Sequence, residues 1–166
     1  MLFLYLLLLF TVMTVYWLGI IICYVYGKIR INGLLETIST IEDLEYIRFM
    51  DFLKLTAEVY KRKGYTVRVT DKCGVEGNGL ILNDKQYVEI WKHGLNHAVD
   101  CEAAMKLAKC MRSNSIYRGI LITLGDFKQN TRMYCHKNVI ECINGEQLIS
   151  MFKEVQKKKE VLQTNS

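Results

Sequence analysis

Charge is missing from the first part of this chain: no Asp, Glu, Lys or Arg occurs between Met1 and Tyr26, and the first charged side chain is Lys28. Leu, Ile, Val, Phe and Tyr dominate that stretch, so it is apolar on every face, which excludes an amphipathic surface helix. It also lacks a basic segment before the apolar run and a small-residue cleavage pattern after it, which argues against a cleaved signal peptide. About 20 apolar residues cross a hydrocarbon layer of roughly 30 Å. Residues 1–27 are therefore expected to form one transmembrane helix. Metal-type cysteine spacing is absent too. The six cysteines (Cys23, Cys73, Cys101, Cys110, Cys135 and Cys142) stand singly, with no Cys-x-x-Cys pair, and Cys135 beside His136 is not a ligand pattern. This excludes a zinc-ribbon or zinc-finger reading and points to reduced, structural thiols. No internal repeat is present.

What remains is enough for one small domain with appendages, since 166 residues do not accommodate two full domains. Lys28 and Arg30 follow the apolar run directly. By the positive-inside tendency they place the C-terminal part in the cytoplasm, giving a single-pass protein of the cell membrane. Tyr24 and Tyr26 are suited to the interface, whereas Tyr16 and Trp17 lie deep. The net charge of +5 falls entirely beyond the anchor. It suits an anionic partner, and juxtamembrane lysines facing acidic lipid account for part of it equally well.

Residues 28–41 read as a juxtamembrane connector, with polar breaks at Asn32, Gly33 and Ser39. Thr40 offers a helix N-cap ahead of Glu42 and Asp43. The helical period then runs through Leu44, Ile47, Phe52, Leu55 and Val59 to Lys61, Arg62 and Lys63, and Gly64 stops it. "YTVRVT" alternates like a strand, and "LILN" and "QYVEIW" read as two more strands joined at Asn83–Asp84. Ala98 to Asn114 carries a helical stripe. "YRGILITL" is a continuous apolar run of the kind buried on both faces of a sheet. A short helix over Asp126 to His136, a strand "VIECI" and a closing helix follow, and residues 157–166, with Lys157, Lys158 and Lys159, read as a basic disordered tail. The order predicts an α/β domain over residues 42–156 with a mixed sheet between helices.

Four stretches then resemble a known family from about Met50 to Phe152. These are "FLKLTAEVYKRKGYTV", "GVEGNGLILNDKQYVEIWKHG", "YRGILITLGDF" and "VIECINGEQLISMF". In order and spacing they are similar to the Mrr-type restriction endonuclease domain, a member of the PD-(D/E)xK nuclease fold. The resemblance implies a restriction-endonuclease-like mixed central sheet flanked by helices and preceded here by one transmembrane helix. It also implies a DNA endonuclease whose chemistry needs an aspartate ending the second strand, a glutamate or glutamine two residues before a lysine on the third, and often a glutamate in the first helix. Hard oxygen ligands hold Mg²⁺, which orients the phosphate and generates hydroxide, while the lysine stabilises charge.

Carried over position by position, that pattern falls on Leu53, Leu80 and Ile90 instead of the three oxygen ligands, and only the lysine persists, as Lys92. The expectation is a catalytically inactive member with no metal or other cofactor, binding DNA or a protein partner at the cytoplasmic membrane face. Two other readings stay open. One is an active metal-dependent endonuclease in which Glu76 and Glu89 serve as relocated Mg²⁺ ligands. Glu89 and Lys92 are an odd number of residues apart, so a regular strand places them on opposite faces unless a bulge intervenes. The other is a structural membrane protein using the fold for docking.

Lys92 can accordingly be a vestige of the catalytic amine, a phosphate-contacting cation or a plain surface lysine. His93 and His97 beside it read as solvated. Lys61, Arg62, Lys63 and Arg68 form a basic cluster suited to nucleic acid, or to a solvated helix end. Lys106, Lys109, Arg112 and Arg118 form a second strip. The two together would grip phosphates if they faced one groove.

Overall fold

The computed structural model describes residues 2–75 and 78–164. Helix α1 (Leu2–Thr37) leads into α2 (Ile41–Tyr46) and α3 (Phe49–Arg62), followed by strands β1 (Val67–Val75), β2 (Asn78–Leu82) and β3 (Gln86–Trp91). Then come α4 (Cys101–Ser113), β4 (Arg118–Thr123), α5 (Gln129–Lys137), β5 (Ile140–Ile143) and α6 (Gly145–Thr164). The strands lie in sequence order in one sheet. β1, β2 and β3 are antiparallel neighbours, whereas β3, β4 and β5 run parallel. The mixed sheet expected from the element order is thus present, with its parallel half made by helical crossovers.

Two apolar layers cover the sheet. On one face Leu80, Leu82, Val88, Ile90, Ile120 and Ile122 meet Leu44 of α2, Phe52 and Leu53 of α3, and Leu148 and Phe152 of α6. On the other, Tyr87 and Leu121 meet Ala104, Leu107 and Met111 of α4 and Cys135 of α5. β3 shows why both faces are needed: Val88 and Ile90 enter the first layer while Tyr87 and Trp91 pack with the second. In the β2–β3 turn Asn83 and Asp84 take φ of 51° and 57°, left-handed values that Asn and Asp tolerate better than other side chains. Gly64, at φ 92°, ends α3 where the sequence places its stop.

Three differences from the sequence reading change the architecture. The first is the connector, which is helical as far as Thr37. Ile31, Leu35 and Ile38 are buried against the domain, with Leu34 packed alongside. Their spacing is that of one helix face, and it outweighs the local cost of Gly33. Tyr5–Thr37 is long and apolar enough to cross a membrane, and none of its most apolar window is buried in the domain. The second is the helix expected from Thr40 to Lys63, which is broken in two. Ile47 and Arg48 adopt extended backbone, with ψ of 141° and 144°. The third is the tail: α6 continues to Thr164, so residues 157–164 are helical rather than disordered. No glycine or proline lies between Glu146 and Thr164 to stop the helix.

Candidate site around the end of strand β3

Leu53, Leu80 and Ile90, on which the resemblance places the family's ligands, lie in the same apolar layer. Leu53 from α3, Leu80 from β2 and Ile90 from β3 belong to one cluster, each with no solvent exposure. Leu80 lies opposite Val88 in the antiparallel register, on the face shared by Ile90. This part of the core is hydrocarbon. A Mg²⁺ ion takes hard oxygen ligands in near-octahedral array, and these side chains carry none, so the residues there do not fit the metal. Among the described residues, no group of three or more His, Cys, Asp or Glu side chains could hold a metal ion. Glu76 lies outside the described residues.

Lys92 follows Ile90 at the end of β3. Its Nζ donates to the backbone oxygen of Glu45 at 2.9 Å and to that of Ile47. These carbonyls end α2, where no further turn exists to receive them. Burial lowers the pKa of the amine, and the nearby Glu45 carboxylate opposes that shift. At the other end of α2, Thr40 and Asp43 form a reciprocal capping box, with the Asp43 carboxylate accepting from the backbone N–H groups of Ser39 and Thr40 at 3.0 Å each. Those bonds hold the Asp43 carboxyl below its usual range. A six-residue helix is thereby satisfied at both termini, one of them by a side chain 45 residues away.

Glu89 points the other way. It is 3% exposed, and its register partner Leu121 belongs to the second layer. Desolvation pushes its carboxyl up to about 7, against a smaller pull from Lys106. Its carboxylate also acts on the thiols of Cys73 and Cys110. The structure therefore does not bring Glu89 and Lys92 together, as the odd spacing implies.

Most of the first basic cluster is engaged. Arg62 donates from Nε to Glu58 at 3.2 Å and from Nη2 to Asn32 at 2.7 Å, tying α3 to α1. Lys63 pairs with Glu154 of α6 at 2.8 Å, and Arg68 pairs with Asp84. Lys61 is exposed. In the second strip Lys106 pairs with Glu102 at 2.8 Å and lies 5.6 Å from the Trp91 ring centroid, while Arg112 donates to the Ala108 carbonyl. Because α3 and α4 cover opposite faces of the sheet, the two strips do not share one groove.

His93 and His97, both exposed, line a shallow cavity of about 240 Å³ with Trp91, Val99, Asp100 and Glu102. The two carboxylates there already pair with Lys128 and Lys106. Sequence reasoning missed Asp51, a mostly buried carboxylate in the first turn of α3 held by Arg30 at 2.7 Å. The buried hydroxyl of Thr123, opposite Trp91 in the register, has no hydrogen-bond partner. The signal for Asp51 was legible, since an acid suits a helix start.

A five-stranded mixed sheet with an antiparallel leading hairpin, flanked on both faces by helices, places the protein in the restriction-endonuclease-like class. Residues 45–152 match the restriction endonuclease family of Mrr-type catalytic domains, and the chain belongs to that family. Among solved structures it is similar to the DNA modification-dependent restriction endonuclease AspBHI, with a TM-score of 0.53 and 11% identity over 82% of this chain. It is also similar to the MspJI restriction endonuclease in complex with a 27-mer oligonucleotide, with a TM-score of 0.46 and 13% identity over 63% of this chain. The chain spans 40% and 28% of the lengths of those two proteins. No curated protein sequence matches it.

Proposed function

We propose that this protein is a membrane-tethered restriction-endonuclease-like module that does not hydrolyse phosphodiesters and that holds duplex DNA by its backbone at the cytoplasmic face. One observation carries the non-hydrolytic part: Leu53, Leu80 and Ile90 fill the family's ligand positions with fully buried carbon. Lys92 supports it, because an amine committed to the carbonyls of Glu45 and Ile47 is not free to position a water. The tether rests on the apolar length of Tyr5–Thr37, and its orientation on Lys28 and Arg30. DNA as the ligand rests on the family and on the net charge of +5, since phosphate contacts need cations and little base-reading geometry.

The full chain, purified in detergent, is incubated with supercoiled plasmid and Mg²⁺ or Mn²⁺, and separately titrated with duplex DNA at rising salt. The expected outcome is intact plasmid, with retention that weakens steeply as salt rises. Cutting that chelator abolishes would overturn the loss of hydrolysis, and absence of retention at low salt would overturn the DNA ligand.

A further inference from the structure

A cleft of about 580 Å³ opens where α1 leaves the domain, between α1, the outer side of α3 and β1. Arg30 of α1 reaches Asp51 in the first turn of α3, whereas Asn32 reaches Arg62 at its last residue. These two contacts tie one stretch of α1 to both ends of α3, and the outer side of α3 faces the cleft beside α1. Lys54, Glu58 and Lys61, spaced by about one turn each, line the cleft from that side.

The lining combines two chemistries. Lys28, Lys54, Lys61 and Arg62 face a single carboxylate, Glu58, which is already paired with Arg62. Among the described residues Lys28, Lys54 and Lys61 form no ion pair, and all three are exposed. Arg62 adds a buried Nη1 without a hydrogen-bond partner. Tyr24, Ile31 and Val69 supply apolar surface in the same cleft, and Val69 is 60% exposed although it is a β-branched aliphatic side chain. Along α1 the last uncharged residues give way to Lys28 within the cleft itself, so a bilayer around α1 would set its headgroup layer at this depth.

We propose that this cleft seats the headgroup phosphate of an anionic glycerophospholipid, with Lys54 and Lys61 on the phosphate and Tyr24, Ile31 and Val69 against its glycerol and first acyl carbons. The proposal rests on the spanning reading of α1 given above. It gives the three free lysines and the exposed Val69 a common occupant: an amphiphile, anionic at one end and apolar at the other.

The test uses the full chain. Flotation with neutral phosphatidylcholine vesicles reads the span, and native mass spectrometry of the detergent-solubilised chain with phosphatidylglycerol against phosphatidylcholine reads the headgroup. The expected result is flotation with neutral vesicles together with preferential retention of phosphatidylglycerol. That preference should fall about fivefold for each of Lys54→Ala and Lys61→Ala, at unchanged far-ultraviolet circular dichroism. A chain that does not float overturns the span and this proposal with it. Equal retention of the two lipids by a chain that does float, or an undiminished preference in the double variant, overturns the lipid site alone. Displacement of phosphatidylglycerol by millimolar inorganic phosphate or by duplex DNA overturns it as well, assigning the cleft to a soluble phosphate.

Discussion

Glu89 is 3% exposed, and removal from water lifts its carboxyl to about 7 from an ordinary 4.5. The folded state thus binds the proton more tightly than the unfolded chain, so stability falls as pH rises from 4.5 to 7 and stays reduced above. The loss is on the order of 3 kcal/mol. Glu89→Gln should remove this slope and leave the protein more stable than the parent at pH 8, as read from urea midpoints at pH 5 and pH 8. Lys92 makes the opposite kind of prediction. Its amine donates to two carbonyls at the end of α2, so Lys92→Met should cost about 1–3 kcal/mol in chemical denaturation. DNA retention should not change in that variant; a loss of retention without a loss of stability would restore the phosphate-contact role. A lysine two residues after Ile90 was plain in the sequence, but its partners were not. Backbone carbonyls carry no side-chain signature, and these two lie 47 and 45 residues away.

Among the elements, α1 is where local cues misled. Asn32, Gly33 and Ser39 look like a connector, yet Ile31, Leu34, Leu35 and Ile38 are spaced as a helix face and dock on α3 and α6. Gln156 of α6 donates to the carbonyls of Leu35 and Ile38, closing the end of α1. The apolar helix and the domain are thereby one continuous piece. Leu35→Ala should therefore destabilise the domain by about 2–5 kcal/mol, measured by thermal or urea unfolding. A fragment beginning at Lys28 should fold as a soluble domain, whereas one beginning at Asp43 exposes the seat of Leu35 and Ile38 and should aggregate; size-exclusion chromatography separates the two outcomes. The break between α2 and α3 is the second case. No proline or glycine marks Ile47 and Arg48, and the apolar period runs straight through them. At the interruption Lys92, just past β3, satisfies the freed carbonyls, a contact that no window along the chain contains.

Over the whole molecule, Leu53, Leu80 and Ile90 all lie in the first apolar layer. Placing acids there should not create a metal centre. Leu80→Asp with Ile90→Glu buries two like charges among leucine and phenylalanine side chains, and should cost several kcal/mol or prevent folding. A soluble, natively folded double variant that cuts DNA with Mg²⁺ would show that the cluster opens readily. The two basic strips belong to this scale as well. Each was visible as a run of Lys and Arg, but whether they shared a groove depended on which layer each helix joined, and α3 and α4 joined opposite ones.

Period and composition alone determined the apolar opening helix and the existence and order of the sheet and its covering helices. These are properties of neighbouring residues: strand alternation, helical stripes and uncharged length are set within a dozen positions. Tertiary structure alone decided the split between α2 and α3, the docking of α1 on the domain, the role of Lys92 and the pairing of most of the first basic cluster. Each of those rests on groups meeting partners distant in the chain, apolar for the face of α1 and polar for Lys92, and the free energy of such a contact exists only once the fold has brought the partners together.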